Sequence, residues 1–225
     1  VINMNNSSFD VIYEDELGDI DISEYWVITD DTTEITFENS DGMELAITDD
    51  IWVDKMSNSP GEGDGSEVNP FKTIKNALER IYVPEGDGQK SIYISSGEYI
   101  YDEEFDIFPL QLIDNIAIIG ESETREPTIF NADYRSIPII IDNSEGVSIE
   151  NIKIKSGIND KYGGAIVCKN SVLNMVSVEI DSSEALSGGG IYSLRSNITM
   201  SDIIIENNTA TNDGGGILAD SSIIN

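Results

Sequence analysis

GGAIVCKNSVLNMVSVEIDSSEALS, residues 163–187, is followed by GGGIYSLRSNITMSDIIIENNTATND, residues 188–213, and then by GGGILADSSIIN, residues 214–225. The openings Gly163-Gly164-Ala165-Ile166, Gly188-Gly189-Gly190-Ile191 and Gly214-Gly215-Gly216-Ile217 recur 25 and then 26 residues apart. A fixed period of this length signals a stack of supersecondary units, each burying its apolar face against the next. Apolar residues alternate within Val172–Ile180 and within Ile198–Ile205, as strands with one buried face require. The units are rich in Ile, Val, Ser, Thr, Gly and Asn and poor in strong helix formers, which excludes helical repeats. Paired glycines suit corners, where the backbone needs positive φ or close approach between coils. The expected fold is therefore all-β, a right-handed parallel β-helix.

The rhythm continues upstream in less regular form, as terminal solenoid units often do. Ile116–Ile119, Ile129 with Phe130, Ile137–Ile141 and Val147–Ile154 read as further short strands, and Tyr93, Ile94, Tyr99 and Ile100 flank a turn at Gly97. Over residues 69–81 the period becomes helical: Asn69 is the expected N-cap and Pro70 the first helical residue. Phe71, Ile74, Leu78 and Ile81 form one apolar stripe that would cover an open solenoid end. Phe9–Tyr13, Tyr25–Ile28, Glu34–Phe37 and Met43–Ile47 read as strands of a small antiparallel β element with a hairpin turn at Asp30-Asp31-Thr32-Thr33. The expected organisation is a β-rich segment over 1–53, serving as cap or exchanged strand, then a Gly/Asp-rich loop and capping helix over 54–90. The β-helix follows over 91–225. The third repeat breaks off at Asn225 and the chain begins at Val1, so a longer parent chain is expected.

Charge narrows the partners. With 12 basic and 43 acidic residues and no histidine, the formal net charge is −31. Nucleic acid, whose binding rests on Lys/Arg clusters, is not an expected partner, and an anionic membrane surface would repel the chain. No stretch reaches the ~20 apolar residues that span a bilayer, so membrane insertion is not expected of this segment. The acidity reads as a solubilising shell or as an adaptation to salt or divalent cations, the shell being the preferred reading. Cys168 has no second cysteine to pair with and reads as a buried small apolar residue.

WVDKMSNSPGEGDGSEVNPFKTIKNAL, residues 52–78, and IYISSGEY, residues 92–99, resemble the leading segment of pectate-lyase-like parallel β-helix proteins. There a strand, a Gly/Asp-rich loop, Asn-Pro-Phe-x-Thr-Ile and a capping helix lead into a strand ending in Pro-Gly-x-Tyr. Ser96 stands here in place of that proline. The glycine coils, with Glu206-Asn207-Asn208-Thr209-Ala210 at the Asn-rich turn, more narrowly resemble adhesin-like surface proteins of bacteria and methanogenic archaea. This resemblance implies an extracellular, cell-surface adhesin-like or structural protein, forming a stalk or a filament through self-association or a neighbouring surface protein. The rival implication is a polysaccharide lyase or hydrolase, or a glycan-binding β-helix.

Catalysis has no recognisable constellation in the sequence. The Gly-His-Gly and Arg-Ile-Lys elements of polygalacturonase-like hydrolases are missing, and Asn151-Ile152-Lys153-Ile154-Lys155 reads as a strand. Inverting hydrolysis needs paired carboxylates, but among 43 acidic residues adjacency is expected by chance. A mark of an enzyme would be carboxylates gathered with Lys or Arg on one solenoid face. No organic cofactor is expected; calcium is the metal considered, on Asp54, Glu62, Asp64 and Glu67, whose loop carries Gly61, Gly63 and Gly65. Asn5, Asn6, Asn197 and Asn207 open glycosylation sequons.

Overall fold

The structure is a computed structural model that describes residues 2–3, 27–28, 46–101, 108–121 and 126–225. From residue 51 onward the chain winds as a right-handed parallel β-helix of about five coils. The first face stacks Ile51–Val53, Lys90–Ile94, Ile116–Gly120, Val147–Glu150, Val172–Val176, Asn197–Ser201 and Ile223–Ile224. The second stacks Gly97–Ile100, Thr128–Asn131, Ile152–Lys155, Glu179–Asp181 and Ile204–Glu206. A short face follows in the glycine repeats, made of Ile158–Tyr162, Glu184–Ser187 and Thr209–Ala210. The last stacks Leu110–Leu112, Ile139–Asp142, Ile166–Lys169, Ile191–Leu194 and Ile217–Asp220.

Because side chains alternate along each strand and the pairing is parallel and in register, identical positions of successive coils stack into columns. Ile92, Ile118, Ile149 and Met175 form one inward column; Tyr99, Phe130, Ile154 and Ile180 another; Ile139, Ile166 and Ile191 a third. All are buried and join in one core cluster. Each such isoleucine contributes about 2 kcal/mol by burial. Cys168 sits in this core, where burial pushes its thiol above the ordinary value.

Corners are turned by residues in the left-handed region. Asn151, Ser177 and Asp202, with φ of 54, 53 and 54°, part the first face from the second. Ser156, Ser182 and Asn207, at 54, 52 and 55°, end the second face, and Gly163, Gly188 and Gly214, at 69, 68 and 64°, lead into the last. Asn170, Arg195 and Ser221, at 49, 48 and 53°, return the chain to the first. At this return corner a serine ladder satisfies buried amides: Ser144 N donates to Ser171 Oγ at 3.0 Å, Ser171 N to Ser196 Oγ at 3.1 Å, and Ser196 N to Ser222 Oγ at 3.1 Å. In the first two Gly-Gly pairs the second glycine serves close approach rather than positive φ. A Cβ on Gly164 would lie 2.2 Å from the Gly189 carbonyl oxygen, and one on Gly189 would lie 2.4 Å from that of Gly215.

Several sequence expectations shift. The stack starts with Ile51–Val53, well before residue 91, since this strand pairs with Lys90–Ile94. The helix covers Ile74–Arg80, with Thr73 rather than Asn69 as N-cap; Thr73 Oγ1 accepts from Asn76 N at 3.1 Å. Phe71 cannot be helical because its backbone is taken by Trp52 O and Asp54 N, at 2.9 and 2.8 Å. Of the expected apolar stripe, Phe71, Ile74 and Ile81 are buried and Leu78 is half-buried against the core; Ala77 is buried beside them, and the helix packs on the strands Ile51–Val53 and Leu110–Leu112. The described N-terminal strands, Ile2–Asn3 and Val27–Ile28, pair in parallel. Phe9–Tyr13, the Asp30–Thr33 turn and Glu34–Phe37 lie outside the described residues.

Replacing Gly164 by Ala drives a methyl group into the Gly189 carbonyl and to 2.7 Å from the Glu184 backbone. The expected cost is about 2–4 kcal/mol, read by urea or thermal unfolding. Gly88→Ala, where nothing lies within 4 Å, is the comparison and is expected to change stability by less than about 0.5 kcal/mol.

Candidate functional site

The first face presents two outward columns at its N-terminal end, generated by strand alternation. Val53, Ile94 and Gly120 occupy matching inward positions, so their neighbours on either side point out. One column is Trp52, Tyr93 and Ile119, in register on adjacent strands; the other is Asp54, Ser95 and Glu121. Trp52 and Tyr93 are half-buried and stack with ring centroids 5.2 Å apart and planes inclined by 27°. The Gly/Asp-rich loop forms the opposite wall and contributes Glu67 and Pro70. It is held by Trp52 N to Gly65 O at 2.8 Å and by the Phe71 backbone pairing. The resulting open cleft has a volume of about 370 Å³.

Polar groups in the cleft are organised by a chain of hydrogen bonds. The Asp54 carboxylate accepts from Met56 N at 2.9 Å and from the Ser95 hydroxyl at 3.1 Å. Since a carboxylate only accepts, the Ser95 proton points to Asp54 and the Tyr99 hydroxyl, 3.0 Å away, donates to Ser95. Burial pushes the Tyr99 phenol above its ordinary value and keeps it a neutral donor. Glu121 accepts from Ser96 N at 3.0 Å. Among the described residues, no Lys or Arg lines the cleft. A flat aromatic wall beside fixed hydrogen-bond acceptors can hold a ring whose faces are apolar and whose edge carries donors.

A second polar constellation lies on the outer side of the second face. Lys153 Nζ is 2.5 Å from Glu179 Oε1 and 3.2 Å from Asp181 Oδ2, and Lys155 Nζ is 2.7 Å from Glu98 Oε1. Glu98 also accepts from Asn131 at 2.8 Å, and Asp181 from Asn207 at 3.0 Å. The bonds from Lys155 and Asn131 hold the Glu98 carboxyl below its usual range; Asn207, with Ser182 and Lys153, does the same for Asp181. The Glu179 hydrogen bond raises the Lys153 amine. Glu206 completes a carboxylate trio with Glu179 and Asp181 whose oxygens lie within 4.8 Å of one another. Carboxylates with lysines on one face were the sequence-level mark of an enzyme, but these lysines are engaged by the protein's own acids.

The four calcium candidates have different surroundings. Asp54 and Glu67 line the cleft, Asp64 accepts from Ser66 N at 2.9 Å within its own turn, and Glu62 accepts from Asn76 at 3.4 Å. Among the described residues, the trio of Glu179, Asp181 and Glu206 is the carboxylate group close enough to surround a single ion. Asn197 and Asn207 are exposed, whereas Asn5 and Asn6 lie outside the described residues. Trp52, Tyr93, Ser95 and Glu121 were not singled out as site residues from sequence. Their signal is the pair of aromatics falling on outward positions of two strands that align only once the coils are stacked.

The family described as "Protein of unknown function (DUF1565)" matches residues 58–223, which is most of the chain, and the chain belongs to that family. No curated protein matches. A solved structure titled "Rhamnogalacturonan lyase" is 13% identical, with a TM-score of 0.37; the match covers 77% of this chain and 45% of that one.

Replacing Lys153 by Met leaves Glu179, Asp181 and Glu206 facing one another without their cation. The expected loss is about 1–2 kcal/mol at neutral pH, measured by urea unfolding. Lys75→Met, an exposed change of the same charge on the helix, is expected to be near neutral. The Lys153 contribution has two boundaries. Asp181 has a lowered folded value, so the difference between wild type and variant is full above the unfolded carboxylate range and closes as pH falls through that lowered value. Lys153 has a raised one, so the difference is full below about pH 10 and closes as pH rises through it.

Proposed function

For this member of the DUF1565 family, we propose a glycan-binding role in an extracellular, adhesin-like β-helix, with the saccharide held in the cleft between the first face and the Gly/Asp-rich loop. The observation that carries this reading is the stacked Trp52–Tyr93 pair opening onto a cleft whose other lining groups include Asp54, Ser95, Glu67 and Glu121. The C–H faces of a pyranose stack on such rings, while its equatorial hydroxyls donate to the carboxylates. Both halves of the recognition sit on regular strands or on a loop tied to them, so the site is largely formed before binding. A surface module that recognises glycans at its capped end, with a rigid solenoid behind it, also fits the adhesin-like glycine coils and the solubilising charge.

A polysaccharide lyase is the competing reading, and Lys153 and Lys155 are the observation behind it. Elimination needs a cation free to neutralise a substrate carboxylate and a base beside it. Lys153 already bridges Glu179 and Asp181, and Lys155 pairs with Glu98, so the glycan-binding reading has the stronger support.

A glycan array followed by calorimetry tests the proposal. Binding to at least one oligosaccharide is expected, and Trp52→Ala is expected to weaken it about ten-fold or more while leaving the far-ultraviolet dichroism unchanged. Binding indifferent to Trp52→Ala, or release of unsaturated sugar from acidic polysaccharides, would reject it.

A further inference from the structure

The charge pattern of the cleft bears on which saccharide it takes, and this step rests on the glycan-binding reading above. We infer that the cleft selects an amino sugar carrying a free, protonated amine over neutral and acidic sugars. Three carboxylates line it, from Asp54, Glu67 and Glu121, and among the described residues no basic side chain does. Their bonds to described residues are few. Asp54 Oδ1 is occupied by Met56 N and Ser95 Oγ, and Glu121 Oε2 by Ser96 N. Oxygens on the same groups remain for a ligand, and Glu67 is exposed at the rim.

Ser95 strengthens the bias. Its proton is committed to Asp54, so it faces a ligand as an acceptor. Lys55, next to Asp54 in the chain, turns its amine to the Glu98 carbonyl and lies 5.3 Å from the centre of the Tyr99 ring. An ammonium group placed among these carboxylates, beside the Trp52 and Tyr93 faces, gains both charge and cation–π attraction. An N-acetyl group loses that charge, and a uronate meets three like charges. The amine also distinguishes the cleft from the second face, where Lys153 and Lys155 already fill the equivalent role against Glu179, Asp181 and Glu98.

Calorimetry on the full chain, in buffered salt, would compare short oligomers of equal length: β-linked glucosamine, its N-acetylated form, the corresponding glucose oligomer and a galacturonate oligomer. The glucosamine oligomer is expected to bind about ten-fold more tightly than the two neutral ones, with the advantage shrinking as salt rises and no binding of the galacturonate. Replacing Glu67 and Glu121 together by Gln is expected to bring the glucosamine-to-glucose affinity ratio to within about two-fold. Neutral oligomers binding as well as the amine would overturn the inference while leaving the glycan-binding reading standing. Because the whole chain carries −31, the amine must also be shown to bind in the cleft. Undiminished glucosamine binding in Trp52→Ala would mean general attraction to the acidic surface and would overturn the inference. A lysine-containing peptide of equal charge and length binding as tightly as the glucosamine oligomer would overturn the sugar assignment. If no oligomer binds at all, the glycan-binding reading itself fails.

Discussion

The coils from Val147 onward depend on closing a loop of 25 or 26 residues with backbone groups that have almost no room. Parallel strands can stack at β-sheet spacing only if the corners between them stack at the same spacing. In the glycine coils one residue at each corner therefore takes positive φ, and that position repeats from coil to coil as Asn, Ser, Asp or Gly, with Arg195 the larger exception. Asn, Asp and Gly tolerate that conformation best. The tightest corner carries the Gly-Gly pair, where one glycine bends and the next allows a carbonyl from the adjacent coil to approach its Cα. Buried amides at the return corner are satisfied by serine hydroxyls from the following coil, which ties each coil to the next by side chain as well as by backbone.

This regularity separates the two kinds of surface. Inward positions are committed to isoleucine columns and cannot vary without a cavity or a clash. Outward positions are free of that constraint, and their columns place residues from different coils side by side at the spacing of the strands. In the glycine coils the second face uses this freedom for compensated charge, with Lys153 and Lys155 set among acids that would otherwise repel. In a chain of −31 such local neutralisation is a stabilising feature of the scaffold. At the capped end the same geometry sets Trp52 against Tyr93 and places carboxylates beside them, with no basic side chain among the described residues that line the cleft. The capping helix makes that difference possible, because it covers the end of the core while its preceding loop forms the second wall of the cleft.

Much of the architecture was legible in the residues. The 25- and 26-residue periods, the alternation and the Gly-Gly corners name a parallel solenoid, and the apolar stripe from Phe71 to Ile81 names a cap. Even the first corner is written in the pattern. Buried positions run Val147, Ile149 and then Ile152, Ile154, and likewise Leu173, Met175 and then Val178, Ile180. The alternation slips by one where Asn151 and Ser177 turn the chain. The helix start was less legible, because Asn69 and Pro70 carry a good local signal that loses to the pairing of Phe71 with Trp52 and Asp54. Local propensity yields to a tertiary hydrogen bond when the same backbone groups cannot serve both.

Alone, the amino-acid sequence determined that the chain winds in coils, which residues face the core and how acidic the surface is, since each follows from period, alternation or count. Tertiary structure decided the site. Trp52 and Tyr93 are 41 positions apart, and only the pairing of Ile51–Val53 with Lys90–Ile94 stacks their rings. Glu67 and Glu121 reach the same cleft from a loop and from a later coil. Of the four acids that the sequence placed together, Asp54 and Glu67 line the cleft, while Glu62 bonds Asn76 and Asp64 its own turn. Spacing along a chain ranks neighbours in sequence, whereas a cleft is built from columns, and the columns exist only after the coils have stacked.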